Sequence, residues 1–330
     1  LPRETDRELY NPGKWFGKPY YFFGDYLLNR YGRRILKLPV NAGLICPNRD
    51  GTLGQGGCIF CSDDGSASPA AGVSRDIKTQ MQHARISFKR SNSSTRYIAY
   101  FQAYTNTYGS AADLRKLYDT ALDEEDVLGL MIGTRPDCLS DEVVELIQSY
   151  IDSTDELWVE LGMQSMHEKS LTWLNRGHSH KDTRKAVNNL RSKKIDVCLH
   201  VILGIPGESW KDMMNTAEEI ASMDIQGVKF HHLHVISGTP LAKLYHEGHV
   251  PLMSMQEYIS TLCDFTERLP HTVMLHRLSG DRNEDSLVAP RWGHHKGTII
   301  KNIEEEFQRR GTYQGFLSKI NRDKNIITFD

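Results

Sequence analysis

The sequence predicts an α/β protein in which parallel strands, joined by helical crossovers, form a barrel or part-barrel. Two observations predict it: β-type runs alternate with helix-like segments along most of the chain, and unusual polar residues gather at the carboxyl ends of the proposed strands. Length agrees, since 330 residues against ~150 per domain give one large α/β domain or two ordinary ones.

In chain order the β-type runs are RRILKLPVN, RYIAYFQAY, VLGLMIGT, ELWVELGMQ, IDVCLHVILGI, VKFHHLHVI and TVMLHRLS, seven proposed strands. Between them lie GSAADLRKLYDTALDE, SDEVVELIQSYI, TRKAVNNLRSKK and SWKDMMNTAEEIASMD. Several of these open on Ser, Thr or Asp, the residues that satisfy free amides at a helix start. No internal repeat, low-complexity tract or Pro/Ser-rich linker forces a boundary. Residues 1–33 therefore read as an N-terminal extension, 34–295 as the core and 296–330 as a C-terminal extension.

Hydrophobic residues at 39% and charged residues at 25% are ordinary for a folded globular chain and exclude disordered and collagen-like classes. No apolar stretch approaches the ~20 residues of a membrane helix, and LPRETDRELY lacks a signal peptide's apolar core. A cytoplasmic protein without membrane contact is expected. Forty basic against forty-two acidic residues give a charge of −2, which argues against a strongly basic nucleic-acid coat and leaves room for a local basic patch.

The cysteines carry the chemistry. Cys46, Cys58 and Cys61 fall within sixteen residues, CPNRDGTLGQGGCIFC, whereas Cys138, Cys198 and Cys263 are single and are expected to be small buried hydrophobes. A structural zinc wants four ligands; here there are three, with no histidine until His83. Three thiolates can instead hold three irons of a [4Fe-4S] cubane and leave the fourth open to a small-molecule chelate. Gly51, Gly54, Gly56 and Gly57 permit the positive φ and close backbone approach of a loop wrapped around a cluster. As a phosphate-binding loop GTLGQGG is weak, because no GKS or GKT follows.

Together with Phe60 just before the last cysteine, these residues resemble the cysteine motif of radical S-adenosylmethionine (SAM) enzymes, with a first gap of x11 in place of the commonest x3. KLPVNAGLICPNRDG, GTRPDCL at 133–139, LGMQSMHEKSLTWLNRGHS at 161–179, LGIPGES at 203–209 and SGTPL at 237–241 narrow the resemblance. It is to the Elongator-like and coproporphyrinogen-dehydrogenase-like branch, nearest the YhcC/YtqA-like group. The resemblance implies a partial (β/α)6-type TIM barrel with short terminal extensions. It implies a [4Fe-4S] cluster on Cys46, Cys58 and Cys61, and SAM as the chelating cofactor, cleaved to a 5′-deoxyadenosyl radical. A flavodoxin-type one-electron donor is implied by that chemistry.

Further residues are expected to bind SAM. Alternation along ELWVELGMQ puts Trp158, Glu160 and Gln164 on one face, so that Glu160 and Gln164 point inward toward a ribose; a structural pairing of Glu160 with an arginine is the alternative. Arg176 in LNRGHS resembles the family arginine near the SAM carboxylate, against the alternative of a solvated helix-end charge. His200 shares a strand face with Cys198, Ile202 and Gly204, and Gly204-Ile205-Pro206-Gly207 would let adenine approach the backbone. Gln102, Tyr104 and Thr105 lie where relatives receive the SAM amino group, although FQAYTNTYG replaces the common glycine-glycine-acid pattern. Among His231, His232 and His234, strand alternation lets at most two share a metal.

The substrate must be read outside the SAM site. LHRLSGDRNEDSLVAPRW concentrates Arg277, Asp281, Arg282, Arg291 and Trp292, where Arg277 or Arg282 would grip a carboxylate and Trp292 would stack a base. Arg30, Arg33, Arg34 and Lys37, and Arg85, Lys89, Arg90 and Arg96, would supply a phosphate track, although surface helices often look the same. Elongator-like relatives act on tRNA, so the expected substrate is the C5 side chain of the wobble uridine, taken from 5-carboxymethylaminomethyl to 5-aminomethyl. No acetyltransferase-like extension accompanies the motifs, so acetyl transfer is not expected. The alternatives are a small carboxylated, tetrapyrrole-like metabolite and, from another class, a non-enzymatic zinc/RNA-binding module.

Overall fold

Apolar and β-branched residues concentrate in the runs that become strands. These are β1 Ile35–Val40, β2 Arg96–Phe101, β3 Val127–Thr134, β4 Glu156–Gln164, β5 Asp196–Leu203, β6 Gly227–His232, β7 Val235–Ile236, β8 Met274–Arg277 and β9 Leu287–Ala289. The computed structural model describes residues 15–63, 65, 74, 76–88, 95–280, 285–293 and 295–319. Seven strands form one sheet in the order β1-β2-β3-β4-β5-β6-β8. Parallel registers set Ile35 opposite Arg96, Ile98 opposite Gly129, Gly129 opposite Glu156 and Gly227 opposite Met274. The proposed strands are thus all present, joined by the helices expected between them.

Those helices start where serine can accept a free amide. Ser110, Ser140, Ser179 and Ser209 cap Ala111–Leu122, Asp141–Gln148, His180–Ser192 and Trp210–Ser222, and the last two carry full capping boxes with Asp182 and Asp212. Each such cap is worth about 1 kcal/mol. One expectation changes: VKFHHLHVI is not a single strand. β8, the partner of β6, is only 4 residues long, so the run leaves the parallel sheet after His232, and β7 pairs antiparallel with β9.

The chain divides into two compact units. One holds Leu27–Met163 and Leu171–Leu199. Its strands β2, β3 and β4 are buried on both faces, as in parallel sheets covered by helices, while the edge strand β1 is largely half-buried. Tyr118 packs edge-on against Phe101 at 5.1 Å and donates its hydroxyl to the Asn106 carbonyl at 2.6 Å.

The other unit holds Leu1–Tyr26, Gln164–Ser170 and His200–Asp330. Here residues of both expected extensions contribute to the unit's core: Trp15, Tyr20, Ile303 and Phe307 are buried, and Phe22 bridges in parallel to Leu275 beside β8. Gln314 fastens the assembly. It accepts from the Tyr21 amide at 3.0 Å and donates to the Pro270 and Val273 carbonyls at 2.8 and 2.7 Å. Gln314→Ala leaves three backbone groups without that partner and is expected to cost about 2–3 kcal/mol; an unmoved midpoint in urea unfolding would refute this role.

Candidate active site

The cysteine loop leaves the end of β1 and folds on itself. The Arg49 amide donates to the Cys46 carbonyl at 2.8 Å, Gly57 to Asn48 at 2.8 Å, and Cys61 to Cys58 at 3.0 Å, a turn that half-buries Phe60. Gly57 has φ +76°, and a Cβ there would press within 2.8 Å of Arg49 Nε, so glycine is required on both counts. The segment 174–178 pins the loop: Ile59 donates to the Leu174 carbonyl at 3.1 Å, Asn175 Nδ2 to Gly57 at 2.7 Å and Asn48 Nδ2 to Asn175 at 2.5 Å.

Three arginines surround the sulfurs. Arg176 Nη1 donates to Cys58 Sγ at 3.1 Å and Nη2 to the Gly162 carbonyl at 2.7 Å. Arg135 grips Asp137 through Nε and Nη2 at 2.9 and 2.8 Å and turns Nη1 to 4.0 Å from Cys46 Sγ. Arg49 donates through Nη2 to the Cys61 and Ser62 carbonyls at 2.9 and 2.7 Å. Burial and the neighbouring Cys58 push the Cys61 thiol up, opposed by Arg49 and Arg176. Burial opposes the charge on Arg135, yet Asp137, Cys46 and Cys58 hold its pKa above the ordinary value.

His178 is buried beside Arg176 and is held down to about 3 by burial and by the charges of Arg176 and Arg135. It is therefore neutral. Its Nε2 accepts from Arg176 Nε at 3.1 Å, which leaves the proton on Nδ1, 3.2 Å from the Ser179 carbonyl.

The donor set fits an iron–sulfur cluster. All three cysteines are free of disulfides, and their neighbours are cationic and amide donors that complement a thiolate-bound anion. A single zinc is a poor fit: bonds of ~2.3 Å would bring tetrahedral sulfurs to roughly 3.8 Å of one another, and the three sulfurs are not all within 4.8 Å.

The remaining expected residues of this unit are placed as follows. Arg176 is 7% exposed, which rules out the solvated helix-end alternative. Glu160 is buried, accepts from Tyr100 OH at 2.7 Å and pairs with Lys37 Nζ at 3.7 Å, so a lysine and a tyrosine take the place proposed for an arginine. Gln102 is half-buried just past β2, its amide donating to the Val40 carbonyl at 3.2 Å. Cys198 is buried as expected. Cys138 is only half-buried, and burial and Asp137 push its thiol up to about 12, with Arg135 and Cys46 in electrostatic reach. Much of the expected phosphate track is engaged internally: Arg30 pairs with Glu156, Arg85 with Glu124 and Arg96 with Asp126, while Arg33 and Arg34 are exposed. Lys89 and Arg90 lie outside the described residues.

In the other unit, Gln164 ends β4 at φ +68°, a costly conformation for a residue with a side chain. Gly204, at φ +82°, leaves room for Met253, whose Sδ would lie 2.8 Å from a Cβ there, and Pro206 beside it is half-buried. His200 is half-buried with its ring 5.4 Å from that of His231. Arg277 donates through Nε to the Phe230 carbonyl at 3.4 Å and sets Nη2 against the His231 ring. The His232 and His234 rings lie 3.9 Å apart and tilted by 45°, with the Trp292 ring 4.2 Å from His232, so the two histidines expected to share a face are brought together in an aromatic cluster. Cys263 is buried. Arg282 and Asp281 lie outside the described residues. Sequence reasoning missed Asn48, Arg49, Arg135, Asp137 and His178; the Arg-Pro-Asp run directly after β3 was the available signal.

The chain belongs to the radical SAM superfamily: that family matches residues 44–220, and the Radical_SAM C-terminal domain matches residues 225–309. Within it, the chain is 38% identical over 298 residues to the uncharacterized protein YtqA of Bacillus subtilis, covering 90% of this chain and 92% of that protein. It is 35% identical over 297 residues to protein YhcC of Escherichia coli, covering 90% and 95%. The tRNA uridine(34) acetyltransferase of Methanocaldococcus infernus is 28% identical over 180 residues, 52% of this chain and 32% of that protein. Among solved structures, Methanocaldococcus infernus Elp3 matches with a TM-score of 0.59 at 20% identity, covering 71% of this chain and 60% of that one. Methylornithine synthase matches with a TM-score of 0.52 at 12% identity, covering 92% and 86%. The fold is the partial TIM barrel of radical SAM enzymes, and membership of the family implies a [4Fe-4S] cluster and SAM. Among the described residues no helix is long and apolar enough to cross a membrane.

Replacing Cys46, Cys58 or Cys61 singly with alanine is expected to abolish the iron and sulfide content of anaerobically reconstituted protein, read by chemical assay and the visible spectrum. Full occupancy in any of the three removes that residue as a ligand. His178, depressed to about 3 in the folded chain from 6.5, contributes stability that is complete above about pH 6.5 and is lost as pH falls toward 3. His178→Gln is therefore expected to lose less stability than the parent between pH 7 and pH 4.5 in denaturant titrations. Equal losses would show that His178 does not carry this dependence.

Proposed function

We propose that this radical SAM superfamily enzyme modifies the C5 side chain of tRNA wobble uridine, converting 5-carboxymethylaminomethyl-uridine to 5-aminomethyl-uridine. The observation that carries the RNA reading is the likeness to tRNA uridine(34) acetyltransferase over 180 residues. Only 32% of that larger protein is matched, so its acetyl transfer is not brought across. The fold shared with Elp3 is consistent with the same reading.

Cys46, Cys58 and Cys61 would hold the [4Fe-4S] cluster, and Phe60, Gln102, Glu160, Gln164, Arg176, His200, Gly204 and Pro206 are the candidates for contact with SAM. When bound, this pair supplies one electron and a carbon radical able to take a single hydrogen from the substrate. The chain's own residues then have two tasks. Exclusion of water from so reactive a centre would fall to the buried apolar residues of the strands, among them Leu38, Val40 and Phe101. Arg277 is the candidate grip for the substrate carboxylate: a planar guanidinium suits that group, and the Phe230 carbonyl and His231 ring hold it in place. That grip presents the adjacent CH2, where nitrogen and carboxylate both stabilise a radical. After the hydrogen is taken, passage of one further electron from the substrate to the oxidised cluster would leave a C=N bond, and water would hydrolyse it, so that the C–N bond breaks, the arm departs as glyoxylate and the 5-aminomethyl amine remains. A flavodoxin-type protein would supply the electron.

Deleting the gene is expected to change the wobble-uridine nucleosides of bulk tRNA, with the 5-carboxymethylaminomethyl form accumulating in mass spectra. An unchanged profile, together with 5′-deoxyadenosine yields that do not respond to added tRNA in anaerobic assays, would eliminate tRNA as the substrate.

A further inference from the structure

We propose that Arg135 and Arg176 are positioning residues that set the reduction potential of the cluster held by Cys46, Cys58 and Cys61, with Asp137 acting in the opposite sense. The proposal rests on the cluster assignment and concerns residues to which that assignment gives no such role.

Both arginines are almost fully buried, at 3% and 7% exposure, so solvent screens their charges little. Arginine keeps its proton under all ordinary conditions, which makes each a permanent cation. Arg176 aims an N–H at Cys58 Sγ from 3.1 Å, and Asn48 Nδ2 stands 3.8 Å from the same sulfur. A donor on a ligating sulfur draws off electron density, and hydrogen bonds to the sulfurs are among the determinants of cluster potential. Arg135 works through charge. Two nitrogens are locked on Asp137, which leaves the guanidinium no freedom to swing away, and Nη1 stands 4.0 Å from Cys46 Sγ. Reduction adds one negative charge inside this ring. Cations so placed favour the reduced form and raise the potential, whereas the carboxylate of Asp137 offsets part of that effect.

A purely structural strap between Arg135 and Asp137 predicts that removing either end does the same thing. Electrostatic tuning predicts opposite signs. The test uses anaerobically reconstituted full chain: parent, Arg135→Gln, Arg176→Gln and Asp137→Asn. Iron and sulfide are counted first, and midpoints are then read by spin-resonance-monitored redox titration without SAM. Arg135→Gln and Arg176→Gln are expected to lower the reduced-to-oxidised ratio at the parent's midpoint about tenfold, about 59 mV for a one-electron couple. Asp137→Asn is expected to raise it. Loaded variants whose midpoints match the parent overturn the proposal, as does an Asp137→Asn shift in the same direction as that of Arg135→Gln. Where a glutamine variant does not assemble a cluster, the charge-keeping Arg135→Lys or Arg176→Lys decides. Assembly with a midpoint near the parent's supports the proposal, and any other result overturns it. A parent that binds no iron and sulfide removes the cluster assignment itself, an outcome distinct from an unmoved midpoint in loaded protein.

Discussion

Three cysteines in one short loop would, once bound to iron as thiolates, concentrate negative charge, and the surrounding structure is organised to hold it. The loop alone has too few side-chain donors to do so. It draws Arg176 and Asn175 from one segment and Arg135 from the end of β3, while Asn48 and Arg49 turn back from within it. Neutral His178 completes the arrangement by accepting from Arg176, which keeps that guanidinium oriented without adding a further cation. Burial makes each of these contacts stronger than it would be in water and makes any unsatisfied member costly.

The sheet explains why these groups meet. In a parallel sheet with helical crossovers, successive strands end on the same side, and residues just past those ends become neighbours although far apart in sequence. The cysteine loop follows β1 and Arg135 follows β3, 89 positions from Cys46. Strand pairing within the sheet is thus what positions the chemistry, and serine caps fix where each crossover helix begins.

Much of this was legible in the sequence, for physical reasons. Alternating runs and capping serines gave the strands and helices, because short-range sterics and hydrogen bonding dictate them. The three clustered cysteines stood out because thiolate ligands at loop spacing have few other uses. What stayed hidden depends on partners distant in the chain. Arg135 and His178 lie within motifs the sequence displays, but their contacts with the cysteine loop and with Arg176 exist only once β3, that loop and the 174–178 segment are brought together. The break between β6 and β7 was invisible for a related reason: VKFHHLHVI is a good strand throughout, and only the shortness of β8 and the availability of β9 divide it. Gly204 carries a second constraint of the same hidden kind, because Met253, 49 positions on, occupies the space a Cβ would fill.

Gln314 has a consequence for how the polypeptide matures. The donor and acceptors it joins are 293, 44 and 41 positions away, so this part of the molecule cannot close until synthesis has passed Gln314. The three cysteines and the arginines that contact this loop all lie at or before residue 176. During synthesis, vectorial and N-terminal first, the sulfur ligands and their arginines thus emerge while the Gln314 clasp is still unmade.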